Sequence, residues 1–178
     1  MSKSLGNVIN PYDIVAEYGT DALRYYIARE LHPFEDSDFT MEKFKESYNA
    51  NLANGLGNLT SRILKMATAN GVTCDTEKIK EIDTGINSGY YDKYEINKVC
   101  DEIWKAISIA DKYIQENVPF KVVKTDEVKG KEMIGHLLDN LYVISKNLEP
   151  IMPETAFKIQ DCIKNNKMPE KPLFERKL

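Results

Sequence analysis

One apolar period, between residues 41 and 66, constrains this chain more than any other feature. Met41, Phe44, Tyr48, Leu52, Leu56, Leu59, Ile63 and Met66 recur at spacings of three and four. On a helix of 3.6 residues per turn, that spacing places them on one face. Thr40 is a good N-cap, Glu42 puts a negative charge in the first turn, and Gly71 is a good stop. The spacing predicts one long helix from Thr40 to Gly71. Its apolar face must be covered by other elements, so the rest of the chain has to supply matching apolar faces. Gly55 and Gly57 cost about 1 kcal/mol each against Ala in a helix interior. They point to close approach by a backbone or a ligand at that level. Asn51, Asn54, Asn58 and Arg62 flank the stripe, the last three at steps of four. A helix with a buried stripe and an Asn/Arg flank is a candidate reading head for a nucleic-acid base.

The matching faces are present, and all are helical. Asn10-Pro11 reads as an N-cap followed by Pro at the first helical position, opening a short helix to Tyr18 that stops at Gly19. Thr20 is expected to cap the next helix, with Leu23, Tyr26, Ile27 and Leu31 inward and Pro33 ending it. An acidic loop follows to Phe39. After the long helix, Val72 to about Tyr91 reads as an irregular connection. A helix is predicted from about Asp92 to Glu116 on Ile96, Val99, Ile103, Ile107, Ala110 and Ile114, with Trp104 as core or rim packing. Asn117-Val118-Pro119-Phe120 breaks that pattern. Another helix is predicted over about Lys131 to Leu148. A last one runs from Pro153 to about Lys164, carrying Ala156, Phe157 and Ile159. The tail from Asn165 is polar and is expected to pack only through Leu173 and Phe174. No strand signal emerges, so the chain is predicted to be all-α. Residues 1–39 form a loop and connecting helices, and 40–178 form a helical bundle.

Composition narrows the function. Among 178 residues, 24 Lys+Arg face 28 Asp+Glu, a net charge of −4. That balance argues against a broad nucleic-acid-coating surface, which needs phosphate neutralisation, and leaves room for a focal RNA site. No apolar run approaches the ~18 residues of a membrane span, and the first residues do not read as a signal peptide, so a cytoplasmic location with no membrane partner is expected. Three cysteines, Cys74, Cys100 and Cys162, are scattered beside only His32 and His136, which gives neither a disulfide framework nor a metal site. No nucleophile elbow, Walker loop or His-Glu-x-x-His occurs. Catalysis by this chain alone is not expected.

Several stretches carry a resemblance in the right order. Met1-Ser2-Lys3-Ser4 with Leu5-Gly6-Asn7-Val8-Ile9 is similar to the KMSKS loop of class I aminoacyl-tRNA synthetases, without its first lysine. Tyr18-Gly19-Thr20-Asp21-Ala22-Leu23-Arg24-Tyr25-Tyr26 with Arg29-Glu30 resembles the segment that follows this loop in the methionyl-tRNA synthetase family. Asp36 to Thr40, Asn49 to Leu59, Leu148 to Ala156 and Lys171 to Phe174 extend the resemblance over essentially the whole chain.

The resemblance implies an anticodon-binding helical bundle of class I type that recognises the CAU anticodon stem-loop of methionine tRNA, working with the catalytic domain of the same enzyme. It implies ATP as the co-substrate of that full enzyme, with no cofactor held by this chain. The nucleotide-binding half with its HIGH-type signature is not among these residues, so the chain is expected to be an excised or truncated C-terminal part. Lys3 is implied to be the loop lysine that stabilises charge on the pyrophosphate as ATP reacts, only in the full enzyme. Asn58 and Arg62 match an asparagine and an arginine that contact anticodon bases, with Asn54 one step earlier in the same row. Phe120 matches a tryptophan on which a base stacks. The ring here is Phe, which keeps a stacking face and loses the indole N–H. Two other readings stay open at this point: the anticodon domain of another class I synthetase, such as the valine type, or a free-standing helical RNA- or protein-interaction module.

Overall fold

The computed structural model describes residues 9–32, 34–75 and 89–177, and all regular structure among them is helical. Pro33 and residues 76–88 of the expected irregular connection lie outside the described residues. Helices α1 (Pro11–Tyr18) and α2 (Thr20–Glu30) precede a long helical stretch. That stretch is continuous from α3 (Met41–Ser47) through a π-helical segment (Tyr48–Gly57) to α4 (Asn58–Asn70). A short 3-10 turn (Tyr91–Lys93) leads into α5 (Ile96–Asn117), followed by α6 (Pro119–Thr125), α7 (Glu127–Leu148) and α8 (Pro153–Lys164).

The long stretch has the caps its sequence announces. The Thr40 hydroxyl accepts from the Lys43 amide at 3.3 Å, and Gly71 closes the far end in the left-handed region at φ 62°. The expected stripe is buried from Phe44 to Met66; Met41 alone stays 37% exposed. Leu52, Leu56, Ile63, Ile103, Ile134, Leu141 and Ile159 are sealed from water. Each such side chain contributes about 1.5–3 kcal/mol relative to exposure. Helix α7 packs against α4, α5, α6 and α8, and α2 packs against α5 and α8.

The middle of the long stretch departs from expectation. Its hydrogen bonds span five residues, so the turn is wider than in an α-helix. A Cβ on Gly57 would sit 3.0 Å from the Leu52 carbonyl oxygen, five residues back, and 3.7 Å from the Phe174 ring. Gly57 thus accommodates both the wide turn and the C-terminal tail. That tail is also tied by hydrogen bonds, beyond its two expected apolar contacts. Tyr48 Oη donates to the Glu175 carbonyl at 3.0 Å. The Asn49 amide donates to the Lys177 carbonyl at 2.7 Å and accepts from the Lys177 N–H at 2.9 Å.

Helix α2 is tied to the bundle by charged side chains, and α1 by the Tyr18 ring, which packs edge-on against Phe44 and Tyr48. Helix α8 begins after Met152, which offers no side-chain cap. The acceptor comes instead from Asp21, whose Oδ2 takes the Thr155 N–H at 2.7 Å. Three residues on, Arg24 donates through Nε to the Ile151 carbonyl at 2.7 Å and through Nη2 to the Pro150 carbonyl at 2.8 Å. Two stretches that the sequence shows 126 or more residues apart are thus one structural unit.

Other expectations shift by a residue or a face. Gly19, at φ 88°, ends α1 and starts α2, so Thr20 is the first helical residue and not the cap. Helix α2 buries Ala22, Tyr25 and Tyr26, while Ile27 is 50% exposed. The aromatic rings set this orientation: Tyr25 lies 4.5 Å from Trp104, and Tyr26 packs edge-on against Phe39 at 5.0 Å. Phe157 of α8 faces outward at 70% exposure. Helix α7 starts at Glu127, because Asp126 caps it by accepting from the Lys129 amide at 3.0 Å. Helix α6 is absent from the sequence reading; Pro119 at its first turn opens a helix that seven residues cannot signal by period.

A very close helix contact lies where α6 folds back on α7. A Cβ on Gly130 would fall 2.2 Å from the Val123 Cα. Gly130→Ala should therefore destabilise the chain by about 3 kcal/mol, the upper range for overpacking, because the obstacle is backbone. Gly135→Ala in the same helix meets nothing nearer than a Val72 methyl at 3.9 Å. It should stabilise by about 0.5–1 kcal/mol through helix propensity. Urea unfolding of both variants checks the pair.

Candidate nucleic-acid interface

The polar flank of the long stretch emerges opposite α5 and α6. Asn54 and Asn58 are exposed, and the Arg62 side chain is one-third exposed. Asn58 and Arg62 lie one α-turn apart on α4. Asn54 sits in the wide-turn segment, so the step from 54 to 58 is not an α-turn and the expected row of three is broken there. Lys3 lies outside the described residues.

Two clefts adjoin this flank. The smaller, about 240 Å³, is lined by Asn54 and Gly55 on one side and by Ser108, Asp111 and Gln115 of α5 on the other. The larger, about 490 Å³, has Arg62, Lys65 and Asn70 of α4 on one wall and Phe120, Val123 and Lys124 of α6 on the other. Met66 and Ile114 belong to its apolar lining. Arg62 and Phe120, 58 positions apart in sequence, thus line one cavity, and Asn54 lines its neighbour. Asn58 lines neither.

Phe120 is held out by a turn of unusual geometry. Val118 ends α5 with φ 41° and ψ 54°, in the left-handed region that β-branched residues rarely adopt. The conformation costs roughly 1–2 kcal/mol. It is held from both sides: the Val118 N–H donates to the Ile114 carbonyl at 3.1 Å, and its carbonyl accepts from Lys121 at 2.8 Å. The turn presents Phe120 at the first turn of α6 with 42% of its surface exposed. The Gly130 contact fixes α6 from behind.

Charge is concentrated here although the whole chain is acidic. Arg62, Lys65 and Lys124 surround the larger cleft, and its lining holds no carboxylate among the described residues. Arg62 is paired through Nη1 with the Asp111 carboxylate on α5. The other oxygen of that carboxylate accepts from the Gln115 amide, one turn on. With both partners about one-third exposed, the pair contributes on the order of 0.2–1 kcal/mol to stability. Asp111, Gln115, Lys65 and Lys124 were not singled out by the sequence. For two of them the signal was available in outline: 111 and 115 are polar positions one turn apart on α5, on either side of the buried Ile114.

The arrangement offers amide donors and acceptors, a guanidinium, an exposed ring over an apolar floor and a cationic rim. That set suits single-stranded nucleic acid, where bases stack on aromatic rings and their edges are hydrogen-bonded. It does not suit covalent chemistry. Burial pushes the Cys100 and Cys74 thiols up to about 12, and it raises Cys162 as well, so none supplies a thiolate near neutral pH. No metal-holding cluster occurs among the described residues, and no described helix is long and apolar enough to cross a membrane.

Comparison with known proteins agrees with the sequence resemblance. A family model described as tRNA synthetases class I (M) matches residues 1–64. The chain is 38% identical over 175 residues to the methionine–tRNA ligase of Fusobacterium nucleatum subsp. nucleatum, a match covering 90% of this chain and 28% of that protein. It is 36% identical over 174 residues to the methionine–tRNA ligase of Enterococcus faecalis, covering 89% of this chain and 26% of that protein. The chain therefore spans little more than a quarter of the length of these curated relatives. Among solved structures, the Mycobacterium tuberculosis methionyl-tRNA synthetase in complex with methionyl-adenylate shares the fold, with a TM-score of 0.82 at 23% identity over 99% of this chain and 41% of that one. Matched by sequence over nine-tenths of its length, the chain corresponds to a part of the class I methionyl-tRNA synthetases, whose fold it shares over nearly all its residues.

Proposed function

We propose that this chain is the anticodon-binding portion of a methionine–tRNA ligase and that its two clefts receive the CAU anticodon loop. The observation that carries the reading is the meeting of Arg62 and Phe120 in one cationic cleft, beside a second cleft lined by Asn54. Asn54 contributes both an amide donor and a carbonyl acceptor, which can pair with a base edge. Arg62 contributes donors only, so its partner is an acceptor on the RNA. Phe120 is the platform on which an unstacked base rests, and Lys65 and Lys124 neutralise phosphates along the rim. Asn58, exposed beside the clefts, reaches the loop from outside them.

In the full enzyme, this portion holds the tRNA while a catalytic domain uses ATP to activate methionine, and Lys3 stabilises charge on the departing pyrophosphate. The chemical step belongs to that domain. The portion described here binds and orients, and works in the compartment where the tRNA is charged, the cytoplasm.

Titration with a synthetic methionine-tRNA anticodon stem-loop at fixed salt tests the reading. Arg62→Ala should weaken binding and leave the melting midpoint nearly unchanged, because the side chain is off the buried stripe and truncation leaves no cavity. Intact affinity with a collapsed midpoint would make Arg62 structural.

Phe120→Leu keeps most of the apolar volume and removes the ring. It should weaken binding by about 1–3 kcal/mol, the scale of one base–aromatic stack, while Phe120→Trp should bind as well or better. If the Leu variant binds like the wild type, no base stacks at this position.

A further inference from the structure

An arginine that reads a base has to be held still. Its guanidinium ends a long flexible stem, and its value in recognition comes from a planar fork fixed in one orientation. Nothing on α4 itself provides that fixing for Arg62. What holds it comes from the facing helix: Asp111 pairs with Nη1, and Gln115 pairs with the far oxygen of the same carboxylate. The three side chains form a relay in which each is oriented by the next. Asp111 lines the smaller cleft and Arg62 the larger, so their pair stands at the boundary between the two. One end of the fork is engaged; Arg62 Nε and Nη2 have no acceptor among the described residues.

A carboxylate beside a cationic RNA cleft opposes phosphate binding, so its presence at this point calls for a compensating role. Asp111 is also the only carboxylate lining either cleft among the described residues. Resting on the anticodon reading above, we infer that Asp111 is a positioning residue: with Gln115 it pins the Arg62 guanidinium at the boundary of the clefts and leaves Nε and Nη2 to meet an acceptor on an anticodon nucleotide. Asp111 acts through Arg62 and makes no contact of its own with the RNA.

A double-mutant cycle with the CAU stem-loop separates this role from the others. In the otherwise wild-type chain, Asp111→Ala should weaken binding about tenfold, within the usual range for coupled contacting residues. Asp111→Asn, which keeps an acceptor oxygen and the shape, should fall between Ala and wild type. In an Arg62→Ala background, Asp111→Ala should cost nothing further. Melting midpoints are read in parallel; if the Ala variant fails to fold, the isosteric Asn variant carries the cycle. Equal losses in both backgrounds would show that Asp111 acts independently of Arg62 and overturn the proposal. Unchanged or tighter binding on removing the carboxylate would overturn it too, leaving Asp111 a bystander or a repulsive charge. A wild-type chain that binds no better than Arg62→Ala would defeat the anticodon reading itself. Good wild-type binding with a flat Asp111 arm defeats only the positioning role.

Discussion

The rest of the structure depends on burial of one face of the helical stretch between Met41 and Asn70. Leu52, Leu56, Leu59 and Ile63 are covered completely, and the helices packed on the stretch are α2 before it and α5, α7 and α8 after it. Because the stretch is continuous, fixing its inner face fixes the outer one. Asn54, Asn58 and Arg62 are therefore carried by a continuous helical stretch whose inner face is fully buried, where a recognition site gains precision. The opposite wall is less regular. It depends on a left-handed residue at Val118 and on an approach of Gly130 to Val123 so close that a methyl group cannot intervene. Backbone strain held by surrounding contacts is characteristic of functional sites. Here it places Phe120 on the lining of the cleft that Arg62 also lines.

Charge does a second kind of structural work where α2 meets α8. Asp21 and Arg24, one turn apart on α2, bind the backbone of the α7–α8 connection. An aspartate capping a helix to which it is not covalently adjacent satisfies an orphan N–H. An arginine on two consecutive carbonyls fixes the turn before it. The pair explains physically why a short charged run near the start of the chain and a Pro-rich run near its end form one recognisable signature: each is the other's hydrogen-bonding partner. Next to this junction, Arg29 lies over the Trp104 ring at 5.1 Å and pairs with Asp101 at 3.1 Å, linking α2 to α5.

Much of the fold was legible because its signals are local. The Asn10 and Thr40 caps, the Gly19 and Gly71 stops and the period on α5 are read from neighbouring residues, and each holds in the structure. What was not legible depended on tertiary contact. The wide turn between Tyr48 and Gly57 leaves the three-and-four spacing of apolar residues intact, so no count of periods reveals it. The face of α2 is set by aromatic partners on other elements. Helix α6 is too short to show a period. At the site, Arg62 and Phe120 could be named from sequence, whereas Asp111 acquires meaning only once α5 is placed against α4. Gly130, whose Cα faces the Val123 backbone, sits in a polar stretch of sequence with no periodic signal, whereas Gly55 and Gly57 interrupt a clear helix pattern.

The most direct test of the account is a map of the RNA footprint. Backbone amide shifts of the isotope-labelled chain should be followed during titration with the CAU anticodon stem-loop. Perturbations should concentrate around Asn54, Asn58, Arg62 and Lys65 of the long stretch, Asp111 and Gln115 of α5, and Phe120 and Lys124 of α6, with the Asp21–Arg24 junction silent. Perturbations centred on α2 and α8, or none at an RNA excess that saturates a related full-length ligase, would contradict it.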